Sequence, residues 1–235
     1  MKAKIRETRT VAQETLMVVF ALEGPRPDFR PGQYFFVTLP DRGYHDEKGL
    51  RHHFSVVTSP TEPEVLGLAT RLRDSAFKKT LRELPVGTEV EVEEPKGSFV
   101  LPEETTRPLV FIAGGIGITV FHSMLRYIAD TKLPYRVTLV YSNRDQAGTP
   151  FLDELKGFEQ QIPGFHLILT MTQDPAWSGE KRKIDAEFLR EHLGDLDGFT
   201  FLIAGPPAMA TAVTESLQTA GVTEGHLFTD NFTGY

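Results

Sequence analysis

The 235 residues carry 25 Lys+Arg against 32 Asp+Glu, a formal net charge of −7, which argues against general affinity for nucleic acid. There is no cysteine, so disulfides, a thiolate nucleophile and a cysteine-ligated iron–sulfur cluster are excluded within this sequence. No apolar run reaches the roughly 18 residues of a membrane span, and no apolar segment follows Met1-Lys2-Ala3-Lys4; no span and a cytoplasmic location are expected.

The first hundred residues read as β. Residues 2–11 and Glu14 to Leu22 predict two strands, the second alternating Leu16, Val18 and Phe20. Pro31-Gly32 punctuates a turn before the aromatic and β-branched run from Gln33 to Leu39. Further strands are expected at 53–58, 66–72 and 89–93, interrupted by one helix at 75–84. Short strands separated by turn signals predict a small closed barrel.

After Pro102 the texture changes. The apolar runs 109–113, 137–141, 167–171 and 201–204 alternate with helical patterns. In the first of these, Phe121, Met124, Leu125 and Ile128 recur at the spacing of one buried helix face. Such alternation predicts a parallel sheet covered on both sides. The expected division is 1–103 for the barrel and 108–235 for the α/β domain.

Three stretches carry candidate chemistry. Gly114-Gly115-Ile116-Gly117-Ile118-Thr119 follows an apolar strand and precedes a helix. A glycine turn there admits a ligand to the backbone and to free N–H groups, or simply allows tight packing. It is not the spaced dinucleotide fingerprint, because Val120 stands where a further glycine would be needed. Ala204-Gly205-Pro206-Pro207-Ala208-Met209 again joins a strand to a helix; it is either a ligand wall or a helix start with Pro near its first position. Arg51-His52-His53-Phe54-Ser55 combines residues that contact phosphate, stack on a ring and hydrogen-bond a heterocycle. Adjacent strand histidines point to opposite faces, and no metal site is expected.

Taken together and in this order, the three stretches resemble the ferredoxin–NADP⁺ reductase superfamily. Its barrel motif R-x-[YF]-[ST] is matched by His52-His53-Phe54-Ser55. G-G-x-G-x-[TS] is matched by Gly114 to Thr119, and C-G-P-P-x-M by Ala204 to Met209. The resemblance covers essentially the whole chain. It implies a β-barrel plus α/β architecture, an antiparallel Greek-key FAD barrel followed by a parallel-sheet nicotinamide-nucleotide domain.

By this resemblance Phe54 packs on the flavin and Ser55 lies near its reactive edge. His52 replaces the arginine that pairs with the FAD pyrophosphate, and Arg51 is expected to take over its charge. Asp74-Ser75-Ala76-Phe77-Lys78 would supply the second phosphate contact, with Ser75 capping a helix whose N–H groups face the diphosphate and Thr70, Arg71 and Leu72 in the strand before it. Gly114, Gly115, Gly117 and Thr119 would frame the nicotinamide and its phosphates, with Gly205, Pro206, Pro207 and Met209 as the opposite wall. Ala204 replaces a cysteine that stands beside the nicotinamide ring. Arg144, after the second strand of this domain, is placed to read a 2′-phosphate, and Lys181-Arg182-Lys183 adds charge, a lean toward NADP over NAD. An aromatic of the tail, Phe232 first and Tyr235 second, would cover the flavin. The residues nearest the reacting rings are thus Ser55, Thr119 and Phe232.

The implied function is an FAD-dependent NAD(P)H oxidoreductase that passes electrons to a separate acceptor such as ferredoxin, flavodoxin or an oxygenase component. Reduction of a small acceptor (free flavin, ferric chelate or quinone) is the alternative enzyme reading. A non-redox subunit that keeps the fold is the third, raised by His52 and Ala204.

Overall fold

The computed structural model describes residues 1–25, 27–103 and 106–232. Its first six strands, β1 (Lys2–Ala12), β2 (Thr15–Leu22), β3 (Tyr34–Thr38), β4 (Arg51–Ser55), β5 (Val65–Arg71) and β6 (Glu89–Val92), form one antiparallel sheet in the order β4-β3-β6-β1-β2-β5. Two hairpins, β1–β2 and β3–β4, are joined through β6, which pairs with both β1 and β3. The sheet curls until its outer strands meet: Val57 N–H, just after β4, donates to Gly67 O of β5 at 2.8 Å. This is the expected Greek-key barrel. Its one helix, α1 (Ala76–Glu83), closes an end.

The second sheet is parallel, in the order β11-β10-β7-β8-β9, built from β7 (Leu109–Gly114), β8 (Val137–Asn143), β9 (Phe165–Met171), β10 (Thr200–Gly205) and β11 (Leu227–Asn231). The helices α2 (Ile118–Thr131), α3 (Leu152–Gln161), α4 (Ala186–Leu193) and α5 (Pro207–Thr219) connect them. The chain runs β7-β8-β9 to one side and returns to place β10 on the other. Ligand crevices in such sheets open at the carboxyl ends of the strands where this reversal occurs, here β7 and β10. Both strands are buried along their whole length. Alternate residues face two cores: Leu109, Phe111 and Ala113 on the α2 side, Val110 and Ile112 on the α4–α5 side.

The α2-side core does not stop at the domain. It also takes in Met17, Val19, Val65 and Ala69 of β2 and β5, whereas Val18, Phe20, Leu66 and Leu68 of the same strands fill the barrel. The strands therefore bury both faces, one inside the barrel and one against α2. For the same reason α2 is buried almost all round in its first two turns, beyond the stripe that its spacing predicts. His122 and Ser123 on that helix bond the barrel carbonyls of Val57 (2.9 Å) and Thr58 (2.7 Å).

Two differences from the sequence reading stand out. The strand expected at 53–58 begins at Arg51 and ends at Ser55, because Val56 and Val57 already bond Gln33 and Gly67 across the closing barrel. The short strand β11, part of the tail in the sequence reading, pairs in parallel with β10 from Phe201↔Leu227 to Gly205↔Asn231. No helix among the described residues is long and apolar enough to cross a membrane.

Candidate functional site

Two cavities lie on the faces that the motifs predict. One, about 440 Å³, opens at the carboxyl ends of β7 and β10 and is walled by Gly114, Gly115, Pro206 and Met209. The other, about 710 Å³, lies beside α1 and the motif strand β4. Arg73, in the loop between β5 and α1, lines both.

The first cavity owes its shape to two turns in backbone contact. A Cβ on Gly117 would meet Ala204 O at 2.3 Å, and one on Gly114 would meet Met209 Sδ at 2.4 Å. Gly115 takes a left-handed φ of +53°, which a side chain would strain. Its carbonyl accepts from the buried Tyr141 hydroxyl at 2.9 Å, and burial holds that hydroxyl well above its usual range. Thr119 is buried and donates to Ile116 O at 3.0 Å, so its hydroxyl braces the turn. Gly205 accepts the Phe232 N–H at 3.1 Å, and Pro207 begins α5.

The far end of this cavity is basic. Arg144 and Lys183 line it together with Arg71 and Arg73, and no carboxylate does among the described residues. Asp145, the nearest acid in sequence, spends its carboxylate on Gly148 N–H at 2.7 Å. Of the Lys181-Arg182-Lys183 run only Lys183 reaches the wall. Arg182 is paired with Glu180 (2.8 Å) and Glu191 (2.7 Å), and Lys181 Nζ donates to Pro175 O. Asn143 also lines the cavity. Both polar atoms of its amide are buried, close to the Tyr141 hydroxyl.

Arg71 crosses from the barrel to this domain, donating to Gly148 O at 3.1 Å, with its guanidinium over Gly115. Thr70 is fully buried on β5, and Leu72 N–H bonds Glu14 O; neither lines either of these two cavities.

In the barrel cavity His52 and Phe54 share a face of β4, and both rings pack near Phe77 of α1, at 4.7 and 5.3 Å. Phe54 is largely buried in the barrel core. Burial, the main cause, holds His52 below its ordinary value, and its Nε2 lies 3.2 Å from Gly49 O. Arg51, on the other face, gives its guanidinium to Glu93 and stacks 3.8 Å above the Phe36 ring. Ser55 is buried on that same face. Ser75 caps α1 as expected, its Oγ accepting from Lys78 N–H at 3.3 Å. The Ala76 N–H, however, is taken by Asp46 Oδ2 at 2.7 Å, so this helix end is partly capped by the chain itself. The bond from Ala76, with others from Gly49 and Lys48, holds the Asp46 carboxyl below its usual range.

Sequence reasoning passed over Lys48, Arg73 and Asp230. Lys48 and Arg73 lie in loops where charge reads as solvated surface. Asp230 is the next-to-last residue of β11, two residues before Phe232; burial raises its carboxyl, and the charge of His53 across the domain boundary partly offsets this. Phe232 is buried in the core that holds Val57, Ala113 and Ala204. Tyr235 lies outside the described residues.

These cavities fit the two cofactors that the motifs imply. Four basic side chains line one, beside glycine and proline turns, and a cluster of lysine and arginine side chains beside aromatic rings lines the other. Residues 111–215 match the family model described as oxidoreductase NAD-binding domain. The chain is 27% identical over 235 residues to terephthalate 1,2-dioxygenase, reductase component 1, of Comamonas sp., covering 98% of this chain and 67% of that protein. It is 31% identical over 209 residues to the anthranilate 1,2-dioxygenase electron transfer component of Acinetobacter baylyi, covering 87% of this chain and 58% of that protein. The chain thus spans little more than half to two thirds of the length of these relatives. The fold matches the flavohem-like FAD/NAD binding domain of nitric oxide dioxygenase from Vibrio cholerae with a TM-score of 0.86, at 19% identity and 98% coverage of both chains. The chain belongs to the ferredoxin–NADP⁺ reductase superfamily, with an FAD-type barrel joined to a nicotinamide-nucleotide domain of the oxidoreductase kind.

Proposed function

We propose that this chain oxidises NAD(P)H and delivers the electrons to a separate oxygenase component. The observation that carries the reading is the pair of basic cavities, one in each domain, that share Arg73. The names of the relatives, a dioxygenase reductase component and a dioxygenase electron transfer component, support the choice of acceptor. Bound FAD would supply the exchange between two-electron nicotinamide chemistry and single-electron delivery.

The chain's own part is to hold two rings and two phosphate groups in register. Gly114, Gly115, Pro206 and Met209 form the wall on which the nicotinamide end rests, and Gly117 keeps that wall thin. Arg71 and Arg73 reach from the barrel into the nucleotide cavity, so a bound dinucleotide is gripped by both domains. Arg144 and Lys183 face its adenosine end. With no carboxylate there among the described residues to accept a free 2′-hydroxyl, the site favours a 2′-phosphate and hence NADPH. No acid–base pair is required, because positioning is the main task of the protein. A cytoplasmic site of action belongs to this reading.

The test is anaerobic stopped-flow reduction by NADPH and NADH, followed by mixing with oxygenase components, ferredoxins, free flavin or ferric chelate. The protein should be yellow and release FAD on denaturation. Release of FMN would refute the diphosphate assignment, and failure to take up any flavin would refute the redox reading altogether. Faster turnover with free flavin or ferric chelate than with any protein acceptor would make this a reductase of small molecules.

A further inference from the structure

The two segments that would hold the reacting rings are tied to each other by a short bridge. On the barrel side Ser55 ends β4, and Val57 stands two residues further on. On the other side Thr119 closes the glycine turn, and His122 stands three residues further on, in α2. His122 Nδ1 lies 2.9 Å from Val57 O, and the neighbouring Ser123 hydroxyl donates to Thr58 O at 2.7 Å. Consecutive residues of the helix thus hold consecutive carbonyls of the barrel. Both ends are braced. Val57 N–H donates to Gly67 O of β5 at 2.8 Å, and Gly67 N–H donates back to Thr58 Oγ1 at 3.0 Å. A Cβ on Gly67 would meet Thr58 Cγ2 at 2.8 Å, so the two segments are in close contact. Thr119, by its bond to Ile116 O, ties the glycine turn to α2. Behind His122, Nε2 lies 2.9 Å from Glu154 Oε2, and the Phe151 ring packs at 4.3 Å. Glu154 also takes Arg9 of β1 at 2.9 Å, which returns the bridge to the barrel.

We propose that His122 and Ser123 are positioning residues for hydride transfer, setting the separation between the strand end at Ser55 and the glycine turn at Thr119. This rests on the function proposed above. Other bonds between the domains, from Gln13 N–H to Ala147 O and from Arg71 to Gly148 O, reach the loop that follows Arg144. The His122–Ser123 bridge reaches the helix that carries the glycine turn itself. Neither residue lines the nucleotide cavity or the barrel cavity. Their loss should therefore leave nucleotide binding largely in place and act on the alignment of the two rings, to which hydride transfer is steeply sensitive.

The experiment reduces FAD-loaded wild-type, His122→Leu, His122→Gln and Ser123→Ala proteins in anaerobic stopped flow over a range of NADPH concentrations, well below the Tm of each. NADPH deuterated at C4 is run alongside. His122→Leu should lower the limiting rate of flavin reduction about ten- to a hundredfold, keep the Kd for NADPH within about twofold, and retain the isotope effect. His122→Gln, whose amide can still donate to Val57 O, should recover much of that rate. Ser123→Ala should act in the same direction as His122→Leu, and carries the test if His122→Leu does not fold. In flavin-free protein, amide hydrogen exchange should quicken at 57–67 and 118–125 in His122→Leu. A lowered Tm with an unchanged limiting rate would make the bridge merely structural and overturn the proposal. Unchanged exchange in both segments, or a slower reduction that has lost its isotope effect, would overturn it too. In each of these cases wild-type reduction leaves the proposed function intact. Wild-type protein that takes up no flavin, or whose flavin neither NADPH nor NADH reduces, refutes that function and the positioning role with it.

Discussion

A Cβ on Gly117 would lie 2.3 Å from the carbonyl oxygen of Ala204. The turns that end β7 and β10 are therefore packed backbone to backbone, and the cavity at their mouth exists only while position 117 has no side chain. Gly117→Ala should overpack this contact at a cost of about 1–3 kcal/mol. The readouts are Tm, expected to fall by several degrees, and NAD(P)H affinity, expected to weaken with it. A variant with both unchanged would show that the turns can part without consequence.

Arg144→Ala should raise the KM for NADPH about tenfold more than that for NADH, on the scale of one charge-assisted contact. Lys183→Ala should act in the same direction. Lys181→Ala should discriminate little, because Lys181 reaches Pro175 O and does not line the cavity. Equal effects on the two nucleotides would dismiss the 2′-phosphate assignment. A larger effect of Lys181 than of Lys183 would contradict the observed wall.

Ala204 is fully buried beneath the nucleotide wall, in the core that also holds Phe232. If the missing thiol limits flavin reduction, Ala204→Cys should speed it in single-turnover measurements with NADPH. An unchanged rate at unchanged nucleotide affinity would show that the alanine imposes no such limit.

His122 of α2 joins the barrel to α3, one ring nitrogen 2.9 Å from Val57 O and the other 2.9 Å from Glu154 Oε2. Both neighbours carry acceptor oxygens, so the ring is held between the barrel and α3. Burial pushes the Glu154 carboxyl up, but the bond and charge of His122, with Arg9 at 2.9 Å, outweigh it and bring it down to about 2. A folded value below the unfolded one of about 4.3 means stability that is present above that pH and lost as pH falls toward 2. Glu154→Gln should therefore lower stability at pH 7 by about 2 kcal/mol. The gap between variant and wild type should close between pH 4.5 and 2 in thermal melts. A gap independent of pH would assign the loss to packing.

Much of this fold was legible in the residues. The apolar runs of β7 and β10 could only be strands covered on both sides, and the turns after them could only hold glycine or proline at their tightest points. Ser75 announced the start of α1 through its capping chemistry. The phosphate sites were legible only in part. Lys78 stands in the stretch read as a phosphate contact, but nothing in a one-dimensional pattern says that it is buried. Arg51 reads as a free charge until the fold brings Glu93 and Phe36 to its two sides. The short strand β11 carries little apolar signal and exists because β10 offers it an edge.

What the sequence determined by itself was the order of the elements, the two-domain plan and the three motif turns, because periodicity, glycine and proline act through local backbone geometry. What only the tertiary structure decided was which side chains are available at each site. The second faces of β2, β5 and α2 are buried because the domains share a core, and Arg73 lines both cavities because that core holds the barrel against the sheet. Charges far apart in the chain acquire their partners, or lose their water, only when those faces meet.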